Sequence, residues 1–117
     1  MNKVMLIGCV VEAPEIRFAG AAQTAFTEIR VEVTMPRGKK EEKLGIDVVA
    51  WARQAEMAVQ YLKKGRLIGI DGRLKSEEET DASGKKVVKV KVVADRIIYL
   101  PAESKAEDHC LSAAEGL

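Results

Sequence analysis

The residues of this chain whose chemistry asks for explanation are its cations and its few flat rings. Nineteen lysines and arginines stand in 117 residues beside only five aromatics: Phe18, Phe26, Trp51, Tyr61 and Tyr99. Arg37, Lys39, Lys40 and Lys43 crowd into one short stretch. Arg73 and Lys75 precede a polar segment, and Lys85, Lys86, Lys89 and Lys91 follow it. Amines and guanidinium groups neutralise phosphates with release of counterions. A ring such as Trp51 offers a face on which a base stacks, worth about 1–3 kcal/mol per base. These are the two ingredients of sequence-tolerant binding to a single nucleic-acid strand. Each has an ordinary alternative: lysine-rich loops are usually solvated surface, and a tryptophan at a helix start also serves as a core anchor.

Catalytic chemistry has no comparable support. The only histidine, His109, stands beside Asp108 and Cys110 in a polar tail, too small a set for a metal site. There is no glycine-rich phosphate loop, no dinucleotide fingerprint and no nucleophile–base pair. The expectation is a protein without catalytic residues, metal or cofactor.

The elements that must position the cations and rings are mostly strands. Residues 3–11 form an apolar run around Gly8, a glycine of the kind that marks a bulge or sharp bend. Residues 15–18 are a short extended piece, followed by a turn at 19–22. Residues 25–34 alternate, with Thr27, Ile29, Val31 and Val33 on one face and Phe26, Glu28, Arg30 and Glu32 on the other. Residues 35–43, containing Pro36 and Gly38, read as a loop, and 44–51 as a strand. One helix follows: Trp51, Ala55, Ala58, Val59 and Leu62 share a face, Lys63 and Lys64 complement the dipole in the last turn, and Gly65 stops it. Residues 66–74 and 85–99 are strands around a polar hairpin tip at 76–84, with Lys89 and Lys91 side by side on one face of the second. The order predicts an all-β OB-fold, a five-stranded Greek-key barrel with one helix between strands three and four.

The charge balance divides the chain. Residues 101–117 carry a net −3 and are expected to be a short disordered tail; residues 1–100 form the domain, with 18 basic and 14 acidic groups, a balance of +4. That mild bias permits a polyanionic partner. With no long apolar run and no signal peptide, the expectation is a cytoplasmic protein without membrane contact. Cys9 and Cys110 are expected to be free thiols.

Six runs in order resemble the bacterial single-stranded DNA-binding protein (SSB) family across roughly residues 2–100. They are Asn2-Lys3-Val4-Met5-Leu6-Ile7-Gly8, Ala13-Pro14-Glu15-Ile16-Arg17-Phe18, Ile46-Asp47-Val48-Val49-Ala50-Trp51, Gln60-Tyr61-Leu62-Lys63-Lys64-Gly65, Asp71-Gly72-Arg73-Leu74 and Val92-Val93-Ala94-Asp95. The resemblance implies an OB-fold assembled as a homotetramer, with a dimer as the alternative. It also implies sequence-independent binding of single-stranded DNA in replication, recombination and repair. Trp51 matches a stacking position of the family and Phe18 an aromatic one. The expected contact set is Trp51 and Phe18 with Lys3, Arg17, Arg30, Arg37, Lys39, Lys40, Lys43, Arg53, Arg73, Lys75, Lys89 and Lys91. The chain departs from the family where Met35-Pro36-Arg37, Leu44-Gly45 and Glu77-Glu78-Glu79 lack aromatics, and the last run is acidic. The short ending Ala113-Ala114-Glu115-Gly116-Leu117 speaks against recruiting replication proteins through an acidic tail tip. These departures sustain an alternative: an OB-fold paralogue acting mainly in protein interaction or assembly, with weak DNA binding.

Overall fold

The period-two alternation of apolar residues becomes six strands around one helix: β1 (Val4–Val10), β2 (Arg17–Ala19), β3 (Thr24–Arg37), β4 (Lys40–Trp51), α1 (Arg53–Tyr61), β5 (Leu67–Thr80) and β6 (Lys86–Tyr99). The structure is a computed structural model and describes residues 1–101. The expectations for the tail, including His109 and Cys110, lie outside the described residues.

Strand neighbours run β1-β5-β6-β4-β3-β2, and β1 also pairs with β3, so five strands close into a barrel with β2 attached to the outer edge of β3. This is the expected OB-fold order, with α1 between the third and fourth barrel strands. β4 and β6 run parallel through Val48 opposite Val92 and Val49 opposite Val93; every other pairing is antiparallel. Closure depends on β1 serving two partners, with Cys9 opposite both Leu67 and Glu32. Gly8 makes the approach to β3 feasible: a Cβ there would lie 2.6 Å from Val31 Cγ1 and 2.7 Å from the Glu32 carbonyl oxygen.

The inward faces supply a core of Val10, Ile29, Val31, Val48, Ile68, Ile70 and Val92. Ala55 and Ala58 of α1 are fully buried, because a methyl side chain lets the helix lie close to the barrel. Thr27 is the polar member of the interior, and its hydroxyl donates to the Glu15 carbonyl at 2.7 Å, satisfying it.

Five local expectations are corrected. Trp51 is the last residue of β4 rather than the first of the helix; it pairs with Phe26, and the chain reverses at Ala52, whose φ of 55° is the left-handed region. The four-residue spacing from Trp51 to Ala55 imitates a helical face, but strand pairing wins, with the Ala52 N–H donating to the Ala25 carbonyl at 2.7 Å. The helix ends at Tyr61, so Lys63 and Lys64 lie beyond its last turn, and the Gly65 N–H donates to the Val10 carbonyl at 2.8 Å. The loop expected at 35–43 is a continuous ribbon paired down to Arg37 opposite Lys40. Pro36 is tolerated there because β3 has no partner besides β4 beyond Glu32, and an edge strand can lack an N–H. The hairpin tip expected at 76–84 is likewise paired to Thr80 opposite Lys86, leaving a turn of five residues. There the Asp81 carboxylate accepts from the Ser83 N–H (2.9 Å), the Ser83 hydroxyl (2.7 Å) and the Lys85 N–H (2.9 Å). Finally, Cys9 is disulfide-bonded, not a free thiol.

Among the described residues no helix is long and apolar enough to cross a membrane. No group of three His, Cys, Asp or Glu side chains among them is arranged to hold a metal.

Candidate nucleic-acid interface

Three adjacent strands build a row on the outside of the barrel. Arg17 of β2 lies opposite Phe26 of β3, and Phe26 lies opposite Trp51 of β4. Alternation sends Thr27 and Ala50 inward and this row outward. The Phe26 and Trp51 rings sit with centroids 5.1 Å apart and planes tilted by 31°, within the range of favourable aromatic pairs. Trp51 remains 39% exposed, so the pair presents an open ring surface. Phe26 stands outside the sequence-based contact set, although its shared face with Glu28 and Arg30 was the signal that it points outward. Phe18 is 58% exposed but pairs with Ala25, one position off the row, and so faces the other side of β2.

The cations divide into open and occupied groups. Arg17 in the row, Arg53 at the start of α1, and Lys39 and Lys40 at the β3–β4 tip are exposed and have no ion-pair partner among the described residues. Arg37 pairs with Glu42 on the same ribbon. Arg30 donates to Asp47 at 2.9 Å, and its guanidinium fills the space that a side chain at Gly45 would take, 2.7 Å from an added Cβ. Lys43 faces Glu32 at 3.6 Å, and Arg73 pairs with Asp95. Lys3 pairs with Asp71 at the start of β1, separated from β4 by β5 and β6, so the structure does not bring it to the row.

The β5–β6 arm carries the densest charge. Lys91 contacts Glu28 at 2.8 Å, Glu79 at 3.3 Å and Glu77 at 3.6 Å, and is only 6% exposed. Lys89 pairs with Glu79 at 3.2 Å and Lys75 with Glu77 at 3.8 Å. The hydrogen bond that Lys91 donates to Glu28 drives its ammonium well above the usual amine range; burial opposes this, and Glu79 and Glu77 reinforce it. Lys89 first, then Lys91, hold the Glu79 carboxyl below the ordinary carboxylate range. The sequence placed Lys89 and Lys91 together on an open face. The structure turns Lys91 inward because Glu28, 63 residues away, meets it across the barrel surface.

Residues 1–100 match the model of the Single-strand binding protein family. The chain is 36% identical over 110 residues to Single-stranded DNA-binding protein 2 of Listeria innocua serovar 6a, covering 92% of this chain and 69% of that protein. It is 36% identical over 102 residues to the Single-stranded DNA-binding protein of Clostridium tetani, covering 86% and 70%. Against Single-stranded DNA-binding protein A of Bacillus subtilis it is 36% identical over 103 residues, covering 86% of this chain and 59% of the relative.

Proposed function

This chain belongs to the single-strand binding protein family, and from that premise we propose that it binds single-stranded DNA across the outer face of β3 and β4, with Trp51 as its principal stacking ring. It serves the family's general role of holding single strands during replication, recombination and repair. The observation that carries the placement is the Arg17–Phe26–Trp51 row, where rings and an open cation stand side by side. A base stacks on the exposed part of Trp51, and the adjoining phosphates lie near Arg17 and Arg53. The strand then follows β3 past the Arg30 guanidinium toward Arg37, Lys39 and Lys40. Ten residues of β3 separate Phe26 from Pro36, roughly 33 Å of strand, room for several nucleotides. Lys43 lies at the edge of this track beside Glu32, whereas Phe18 faces the other side of β2. Residues 1–100 are the binding unit, and the binding is non-catalytic.

We further read the protein as a cytoplasmic homotetramer, with a dimer as the alternative. Met5 (72% exposed) and Ile7 (61%) lie on β1, whose pairing to β3 is confined to Cys9 and Val10; an open edge with apolar side chains supports self-association. Sedimentation at micromolar protein reads the state directly, and a monomer would overturn it.

Trp51 is the only tryptophan, so fluorescence titration with oligo(dT) has a single reporter. Strong quenching that weakens with added salt is the expected result. No quenching and no gel shift at micromolar protein would overturn DNA binding and favour the protein-interaction reading, which the carboxylate-filled β5–β6 arm supports.

A further inference from the structure

Among the described residues Lys91 is the one buried charged side chain. Three carboxylates from two strands, Glu28 of β3 with Glu77 and Glu79 of β5, face three amines: Lys75, Lys89 and Lys91. The local charge is therefore balanced before any ligand arrives. Glu28 stands two residues from Phe26 on the same face of β3, so this balanced cluster borders the ring pair. Exposed ion pairs exchange readily with solvent ions and are worth little. A buried, multiply bonded ammonium is different, because separating it from its partners strands charge in a low-dielectric site.

We propose that Glu28, Glu77 and Glu79 are resident counter-ions of the binding face: they occupy Lys75, Lys89 and Lys91 in place of phosphates and so confine the DNA strand to the track between the Trp51 row and the β3–β4 tip. This rests on the reading that the strand crosses this face. Salt sensitivity follows the number of phosphates neutralised, at a slope of about 0.7 per phosphate for single strands. Buried Lys91 contributes nothing to that slope while its carboxylates hold it, and the half-exposed Lys75 and Lys89 contribute less than unpaired lysines would. Removing the carboxylates converts these lysines into phosphate contacts, and both affinity and salt slope rise together.

The test is oligo(dT) affinity against salt for E79Q and for E77Q/E79Q, beside wild type and W51A. Glu79 touches both Lys89 and Lys91, and lies on the exposed arm. The double variant is expected to bind about tenfold more tightly at low salt, with a slope steeper by about 0.7 for each lysine released, and E79Q should fall between it and wild type. If the double variant loses its fold by circular dichroism, E79Q alone decides. Adding K75Q, K89Q and K91Q to E77Q/E79Q should return affinity to near the wild-type value. A gain that survives those three substitutions would overturn the proposal, because relief of repulsion would then suffice. Wild-type affinity in E79Q and E77Q/E79Q while W51A weakens binding would overturn it and leave the reading of the face intact. Absence of oligo(dT) binding in every protein would remove both.

Discussion

The Trp51 row and the β5–β6 arm are two parts of one outer face, built by the same rule of strand alternation, and they are chemically opposite. The row joins two rings to an arginine with no carboxylate partner among the described residues. The arm has more charged groups but leaves its central amine 6% exposed among three carboxylates. Charge density along a strand is thus a poor measure of charge available to a ligand. What matters is whether the neighbouring strand brings an opposite charge into register.

Five changes break or sharpen that contrast. The largest should come from Ile29→Ala, beneath both regions, where Ile29 is fully buried on β3. A loss of about 2–5 kcal/mol is expected from such a truncation, seen as a lower melting temperature with both regions loosened together. Trp51→Ala should separate them. It is expected to remove about 1–3 kcal/mol of oligo(dT) binding while hydrogen exchange in the arm stays as in wild type. Phe26→Ala should act on the same side but less, by about 0.5–1.5 kcal/mol from the lost ring pair, with a shift in Trp51 emission as its signature.

Acid should act on the arm instead. A carboxylate held below its ordinary value stabilises the fold above its unfolded value, here 4.5, and that contribution is lost as pH falls through the folded value. Arm amides near Glu79 should therefore lose protection relative to their intrinsic exchange rates as pH falls below 4.5, before Trp51 emission changes. The raised Lys91 has the reverse sense: its contribution is complete below its ordinary value of 10.5 and is lost only as pH rises beyond that, so alkali up to pH 10 should leave the arm closed. The smallest effect belongs to Asp81→Ala, which removes three hydrogen-bond acceptances at the turn. It should broaden the NMR signals of Ser83 and Lys85 without changing the melting temperature. A cooperative drop would show that the tip supports the barrel.

Alternation made β3 legible from sequence, down to Thr27, Ile29 and Val31 pointing inward and Phe26, Glu28 and Arg30 outward. The helix was legible at Ala55, Ala58 and Leu62 but not at its ends. Trp51 fits a helical period and a strand end equally well, and only pairing with Phe26 decides between them. Residues 35–43 read as a loop because Pro36 and Gly38 favour turns in isolation, and 76–84 reads as a hairpin tip because the stretch is polar throughout. Cross-strand hydrogen bonding carries order past them to Arg37 and Thr80.

By itself, then, the sequence determined the order of elements, the inward and outward faces, the presence of a single tryptophan and a surplus of basic residues in the first hundred. All of these depend on composition or on neighbours a few residues apart. Only the tertiary structure decided that Phe26 completes the Trp51 row, that Arg30 lies over Gly45, and that Lys91 is closed while Arg17 and Arg53 are open. Those outcomes depend on register between strands distant in the chain, as between Glu28 and Lys91, and a periodic pattern within one strand contains no information about what the next strand sets beside it.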